Sequence, residues 1–367
     1  MAQTTFAMVQ TAPGKLEPRT LPLPEIGHDD ALLRVEACGI CGSDHEQFSG
    51  VLPVALPVIP GHEPVGIIEK IGDGAAERWG VDAGDRVAVE AMLPCHSCPR
   101  CLSGAYQLCR NAGGFRVYSY IPLSVPPGLW GGYAEHLYLH RDAIVHKMEK
   151  SVPPEIAVLF NPLGAGFRWA VDIPKTKPGD TVLILGPGQR GLASVIACRQ
   201  AGAGTIIVTG LSADAHKLAL AREFGADHTL DAEREDVRDR VQEITDGRGA
   251  DVVVEVTSYA TEPVVAAIDY VTMGGTIVLA GVKGFKPLAD FVSDKVVIKE
   301  ITIRGAFGVT FEAYEQAIRL IESGRVPIRK MHTHEFGLKD AERAIMTLAG
   351  EIAGEKAVHC ALLPGKG

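Results

Sequence analysis

A chain of 367 residues exceeds one ordinary domain, so its length predicts two domains, each with its own buried core. With 46% hydrophobic and 22% charged residues the composition is that of a globular protein and excludes extended disorder. The formal charge of -9, from 36 basic and 45 acidic residues with no basic cluster, argues against nucleic acid or membrane as partners and points to small molecules.

No window reaches the roughly 18 uninterrupted apolar residues needed to span a bilayer. Residues 1–14 lack the charged and then apolar pattern of an export signal, so a cytoplasmic protein is expected. Up to Asn161 the chain reads as an irregular β domain, with short β-rich runs at 32–37, 65–71 and 86–89 broken by Pro and Gly.

Within this part stand Gly39-Ile40-Cys41-Gly42-Ser43-Asp44 and Gly61-His62-Glu63-Pro64. Cys41, His62 and Glu63 offer a thiolate, an imidazole and a carboxylate, fewer than four firm ligands. A catalytic zinc needs such a set if water or an alcohol is to take the remaining position. Zinc there would act as a Lewis acid, holding substrate oxygen as an alkoxide while the adjacent carbon releases hydride. Ser43 is placed to take the hydroxyl proton, Asp44 to orient a ligating imidazole, and His45 to lengthen the proton path. Ser and Asp after Gly also make ordinary turn residues.

Of eight cysteines, Cys95, Cys98, Cys101 and Cys109 crowd into one loop as C-x2-C-x2-C-x7-C. Four thiolates at this spacing can close a tetrahedral shell about 2.3 Å from zinc, leaving no position for substrate, so this second ion is expected to be structural. Disulfides and an iron–sulfur cluster are the competing uses of four cysteines. The long connection at 113–128 carries Phe115, Tyr118 and Tyr120. Together with Trp130 and Phe160 it either borders a channel for an apolar or aromatic substrate or packs onto the cysteine lobe.

From 181 the texture changes. Apolar strands at 181–185, 205–209, 252–256 and 276–280 alternate with helical patterns at 192–201, 213–224, 236–245 and 262–271, which predicts a doubly wound parallel sheet. The first strand runs into Gly186-Pro187-Gly188-Gln189-Arg190-Gly191 and then a helix, the setting in which G-x-G-x-x-G binds a dinucleotide pyrophosphate. Val282 joins the candidate cofactor residues. An NAD site should show a carboxylate roughly 20 residues after the glycines. Gly210 occupies that place and Asp214 follows late, so Ser212, Arg190 or Lys217 could hold a 2′-phosphate and both NAD and NADP stay open. After 304 the alternation stops, and helices at 311–323 and 339–348 belong to a tail that rejoins the first domain.

Taken together, Gly61-His62-Glu63-Pro64-Val65-Gly66, the four-cysteine lobe, Gly131-Gly132-Tyr133-Ala134-Glu135 and the glycine loop resemble the zinc-dependent medium-chain alcohol dehydrogenase family over nearly the whole chain. The resemblance implies an α/β protein. A GroES-like β-rich catalytic domain (1–161 and 305–367, zinc lobe at about 92–112) is interrupted by a Rossmann domain (162–304), with a cleft between them. It also implies catalytic zinc on Cys41 and His62 with Glu63 as ligand or near neighbour, and a homodimer or homotetramer joined near 302–304. Where relatives place a further zinc ligand, this chain has Asn161, a poor ligand beside thiolate and imidazole. Either Glu63 and water complete the shell or the site is weakened. The expected activity is hydride transfer between NAD(P) and a secondary alcohol, polyol or similar compound. The rivals are a zinc-free reductase of a polarised C=C or C=N bond and a catalytically idle nucleotide-binding subunit.

Overall fold

The computed structural model describes residues 3–110 and 116–366. The chain divides into two compact units, one of 1–161 with 318–367 and the other of 162–317. The second division falls between Ala317 and Ile318, inside the helix Phe311–Ser323, rather than at 304/305. That helix has no glycine or proline at which a sequence could announce the change.

The first unit is built on a mainly antiparallel sheet in the order His334–Phe336, Cys360–Leu362, Ala31–Gly39, Glu63–Ile71, Arg86–Val89, Val145–Lys147, with His136–Leu139 also pairing Ala31–Gly39. Alternation along Ala31–Gly39 and its neighbours buries Leu33, Val35, Ile68, Val87, Leu137 and Tyr133 in one core. Each large apolar side chain so buried contributes roughly 1.5–3 kcal/mol. The last strand, Cys360–Leu362, lies between His334–Phe336 and Ala31–Gly39, so the tail is part of this sheet. A helix the composition did not suggest, Gly42–Ser49, leaves Ala31–Gly39 directly after Cys41. It is short and polar, so it carries no long apolar period to read.

The second unit holds six parallel strands in the order His228–Asp231, Thr205–Gly210, Thr181–Leu185, Ala250–Glu255, Val271–Leu279, Thr302–Gly305. Chain order reverses beside Thr181–Leu185, whose neighbours are the second and fourth strands. In open α/β sheets ligands bind at such a switch point, outside the carboxyl ends of the strands. The helices Gln189–Gln200, Ala215–Glu223, Val237–Ile244 and Glu262–Tyr270 agree with the expected alternation within a few residues. His228–Asp231 escaped the pattern because it is a four-residue edge strand with only Leu230 fully buried. Among the described residues, no helix is long and apolar enough to cross a membrane.

Candidate metal and dinucleotide sites

Cys41 caps the N-terminus of Gly42–Ser49 with an extended backbone, where the strand Ala31–Gly39 gives way to the helix. Its N–H donates to Asp44 Oδ2 at 2.8 Å. The other Asp44 oxygen lies 3.3 Å from His62 Nδ1, so one buried carboxylate steadies both the thiol-bearing backbone and the imidazole. Ser43 Oγ stands 3.4 Å from His62 Nε2.

His62 enters from Gly61, whose φ of 91° is left-handed and whose missing Cβ would lie 2.3 Å from the Tyr133 ring. Glu63 opens the strand Glu63–Ile71 opposite Gly39, and a Cβ on Gly39 would lie 2.6 Å from the Glu63 carboxylate. The carboxylate therefore rests in space that only glycine leaves. The donor atoms of Cys41, His62 and Glu63 all lie within 4.8 Å of one another.

The electrostatics suit a cation. Burial depresses the His62 imidazolium, yet the Asp44 carboxylate, with help from Cys41, holds its pKa well above the usual value. Glu46 on the same helix is pushed up to about 7, by burial first and by the Cys41 charge second. Asp44, Glu63 and Cys41 thus gather acidic groups around one imidazole, an arrangement that a divalent ion would stabilise.

The other expected residues sort differently. His45 Nε2 lies 2.7 Å from Glu351 and is taken up by that pair. Asn161 is buried at the start of Phe160–Phe167. Tyr118 and Trp130 are core residues: their rings lie 6.2 Å apart, and the Tyr118 hydroxyl accepts the His140 N–H at 3.1 Å. Phe160 is fully buried. Phe115 lies outside the described residues. Burial first, and then the charges of Asp44, Cys41 and Glu46, raise the Tyr120 hydroxyl above its usual value.

In the cysteine lobe the Sγ atoms of Cys98 and Cys101 are 3.5 Å apart, those of Cys95 and Cys101 3.9 Å, and those of Cys98 and Cys109 4.0 Å. A tetrahedron of 2.3 Å zinc–sulfur bonds has edges of about 3.8 Å, so four sulfurs at these distances fit one ion. Ser97 O–H and N–H, with the Cys98 N–H, hold the Cys95 thiol down at about 5, while burial pushes Cys101 up to about 12. Tyr106, inside the lobe, donates to Glu90 at 2.8 Å, and His146 Nε2 lies 3.0 Å from the same carboxylate. Both Glu90 and His146 are buried, which ties the lobe to the core.

In the second unit, Gly186 has φ 107°, and Gly191 closes so tightly that a Cβ would fall 1.9 Å from the Gly186 carbonyl. Gly188 caps Gln189–Gln200 and would meet nothing within 4 Å, leaving the helix N-terminus open to an anion. Arg190 lies over the Trp169 ring at 5.6 Å, and Val282 is half exposed, its carbonyl accepting the Tyr259 N–H at 3.0 Å.

Around Gly210 the structure brings in residues the sequence did not single out. A Cβ there would lie 2.7 Å from Pro187 Cγ, so the position has no room for a side chain. Its register partner on the neighbouring strand is Asp231. Ser212 donates its hydroxyl to Asp231 at 2.6 Å and its N–H to Glu233 at 2.7 Å. Lys217 is paired with Asp214 at 2.8 Å. Only pairing across strands brings Asp231 and Glu233 here; their offset from the glycine loop carries no local signal.

Two family descriptions match the chain: an alcohol dehydrogenase GroES-like domain over residues 27–150 and a zinc-binding dehydrogenase over 191–323. A Mycobacterium tuberculosis (strain ATCC 25618 / H37Rv) protein named "Probable alcohol dehydrogenase adh" is 48% identical over 360 residues, covering 98% of both chains. An erythritol/L-threitol dehydrogenase of Mycolicibacterium smegmatis is 30% identical over 370 residues, covering 98% of this chain and 97% of its own. Among solved structures, a Sinorhizobium meliloti 1021 chain crystallised with NADP superimposes with a TM-score of 0.86 at 29% identity, covering 99% of this chain and 100% of its own.

Proposed function

Because the chain belongs to the zinc-dependent medium-chain dehydrogenase/reductase family, we propose that it moves a hydride between a nicotinamide dinucleotide and a secondary alcohol, polyol or similar compound, with two zinc ions per chain. The observation that carries this reading is the convergence of Cys41, His62 and Glu63 donor atoms within 4.8 Å, three ligands with room for one more. Bound there, zinc would supply Lewis acidity toward an alcohol or carbonyl oxygen. Asp44 fixes the two ligands it touches. Ser43, 3.4 Å from His62 Nε2, is placed to accept the substrate hydroxyl proton. With Asn161 neutral, Cys41 and Glu63 together provide the protein charge of a two-Cys, one-His set. The cysteine lobe would take the structural ion.

For the dinucleotide the surroundings of Ser212 favour NAD. Both polar groups of Ser212 are engaged by carboxylates, Lys217 is neutralised by Asp214, and Ser212 with the Glu233 N–H holds Asp231 ionised below the usual carboxylate range. The acid absent at Gly210 is thereby supplied from the neighbouring strand, where it would bind ribose hydroxyls and repel a 2′-phosphate. Like-charge contact of roughly 3 kcal/mol corresponds to about 10²-fold. We therefore expect kcat/KM with NAD to exceed that with NADP by about that factor, and the double variant Asp231→Asn, Glu233→Gln to narrow the gap. Equal use of both cofactors by the wild type would contradict this assignment.

A second copy of the chain is the proposed protein partner. Thr302–Gly305 pairs with Val271–Leu279 along one edge only, and among the described residues no strand pairs the other. Met273, Val297 and Ile298 leave apolar surface exposed nearby in the fold of this unit. An exposed edge with apolar surface is a template for further pairing. Light scattering should show a dimer or tetramer, and Ile303→Lys should shift it toward monomer; a monomeric wild type would end this reading.

The test of the activity is a cofactor-reduction screen over alcohols and polyols with NAD and NADP, with zinc measured on the same preparation. Alcohol-dependent reduction with two zinc ions per chain is expected. Protein that carries one zinc and reduces a polarised double bond instead would refute the proposal.

A further inference from the structure

At the carboxyl end of Ala250–Glu255 the second unit buries a charged cluster outside both metal sites. Lys283 Nζ donates to Glu255 Oε1 at 2.9 Å, to Thr257 Oγ1 at 2.9 Å and to the Thr257 carbonyl. The Thr257 N–H, at 2.9 Å, and the Thr257 hydroxyl donate to the same Glu255 oxygen. The Glu255 side chain is fully buried and that of Lys283 is 11% exposed. Glu255 Oε2 is buried too and, among the described residues, accepts no hydrogen bond. Taking an ion pair out of water is costly, and a polar cluster left one donor short is a poorer core than an apolar one. Stability alone therefore does not account for this pair.

Its place in the sheet supplies a reason. Glu255 is the register partner of Leu185, the residue before Gly186, and the Val256 N–H donates to the Leu185 carbonyl at 3.0 Å. A Cβ on Gly186 would lie 3.0 Å from Thr257 Cγ2, so Thr257 packs on the glycine turn. Lys283 comes from the turn that follows Val271–Leu279, where a Cβ on Gly281 would lie 1.9 Å from the Thr257 carbonyl. The cluster thus joins the ends of two neighbouring strands at the switch point. A dinucleotide lying across that point sets its pyrophosphate on the glycine turn and its adenine nucleotide over Thr205–Gly210, which leaves the nicotinamide nucleotide over Ala250–Glu255. Resting on the dinucleotide-dependent activity proposed above, we infer that Lys283 is a positioning residue for the nicotinamide nucleotide. Clamped by Glu255 and Thr257, it fixes the turn 281–283 on which that half of the cofactor seats, and it cancels the Glu255 charge that would otherwise stand beside the pyrophosphate. Backbone hydrogen bonds also close this turn, from the Ala280 and Gly281 N–H groups to the Glu255 carbonyl and from the Tyr259 N–H to that of Val282. Removing the Lys283 ammonium should therefore loosen the turn and expose the charge without unfolding the sheet.

The test measures NADH and AMP binding by calorimetry on the full chain as wild type, Lys283→Met, Lys283→Arg and Thr257→Val. Lys283→Met should raise the NADH Kd about tenfold, the order expected of a residue acting through packed neighbours, and leave the AMP Kd, which reports the adenine half, within about twofold. The fluorescence emission of bound NADH should move toward that of free NADH. Lys283→Arg keeps the charge and should recover most of the affinity, and Thr257→Val, which removes one anchor, should weaken NADH about threefold. Unchanged NADH affinity and emission in Lys283→Met and Thr257→Val would overturn the inference, and equal weakening of NADH and AMP would replace it with a general structural role. If Lys283→Met does not fold, Thr257→Val decides by the same two ligands. Because the readout is binding, a wild type that binds NADH and follows these predictions yet oxidises no alcohol removes the proposed activity alone. One that binds neither NADH nor NADPH removes both.

Discussion

Cys41→Ser is expected to lower alcohol turnover by about 10³-fold while the protein melts within a few degrees of wild type. The thiolate supplies half the negative charge of the proposed Cys41, His62, Glu63 set, and its loss weakens the ion that polarises substrate oxygen, an effect of roughly 4 kcal/mol in the transition state. Cys41 also makes its backbone contact to Asp44 through N–H, which serine keeps. The fold should therefore survive. Zinc per chain should fall from two to one, the remaining ion belonging to the cysteine lobe. Equal losses of melting temperature and activity would place Cys41 among the structural residues.

Cys98→Ser should do the reverse. Its sulfur lies 3.5 Å from Cys101 and 4.0 Å from Cys109, so it takes part in two edges of the cluster. A structural ion held by four thiolates contributes directly to folding. Losing it is one of the few single changes that costs more than about 4 kcal/mol, which corresponds to roughly 10 °C in melting for a unit of this size. The loss should reach the core, because Tyr106 is bound to the buried Glu90–His146 pair. Chelator should lower wild-type melting in the same way. A Cys98→Ser variant with unchanged melting and zinc content would show that the lobe holds no ion.

The two classes of site differed in how far they could be read beforehand. The four cysteines occupy fifteen residues, 95–109, and their spacing suffices because a short loop can wrap an ion without help from distant strands. The glycine loop is similar: Gly186 and Gly191 are required by local backbone and Gly188 leaves the helix N-terminus open, so a strand, a turn and a helix in sequence announce them. The expected ribose carboxylate could not be placed in that way. Gly210 has no room for one, and the substitute proposed above, Asp231, is adjacent only through parallel strand pairing. Nor did the sequence signal that His45, expected on the proton path, would lie 2.7 Å from Glu351, which comes from far along the chain.

By itself the sequence determined the alternation that makes a doubly wound sheet, the cysteine spacing, the glycine-rich turn and the residue types of the proposed open metal set, all properties of periodicity or of short loops. Only the tertiary structure decided which carboxylates stand beside which cations and where the second division of the chain falls. The physical reason is range: backbone preference and turn geometry act over a few residues, but charge, burial and hydrogen-bond satisfaction are summed over neighbours that strand pairing brings from far along the chain.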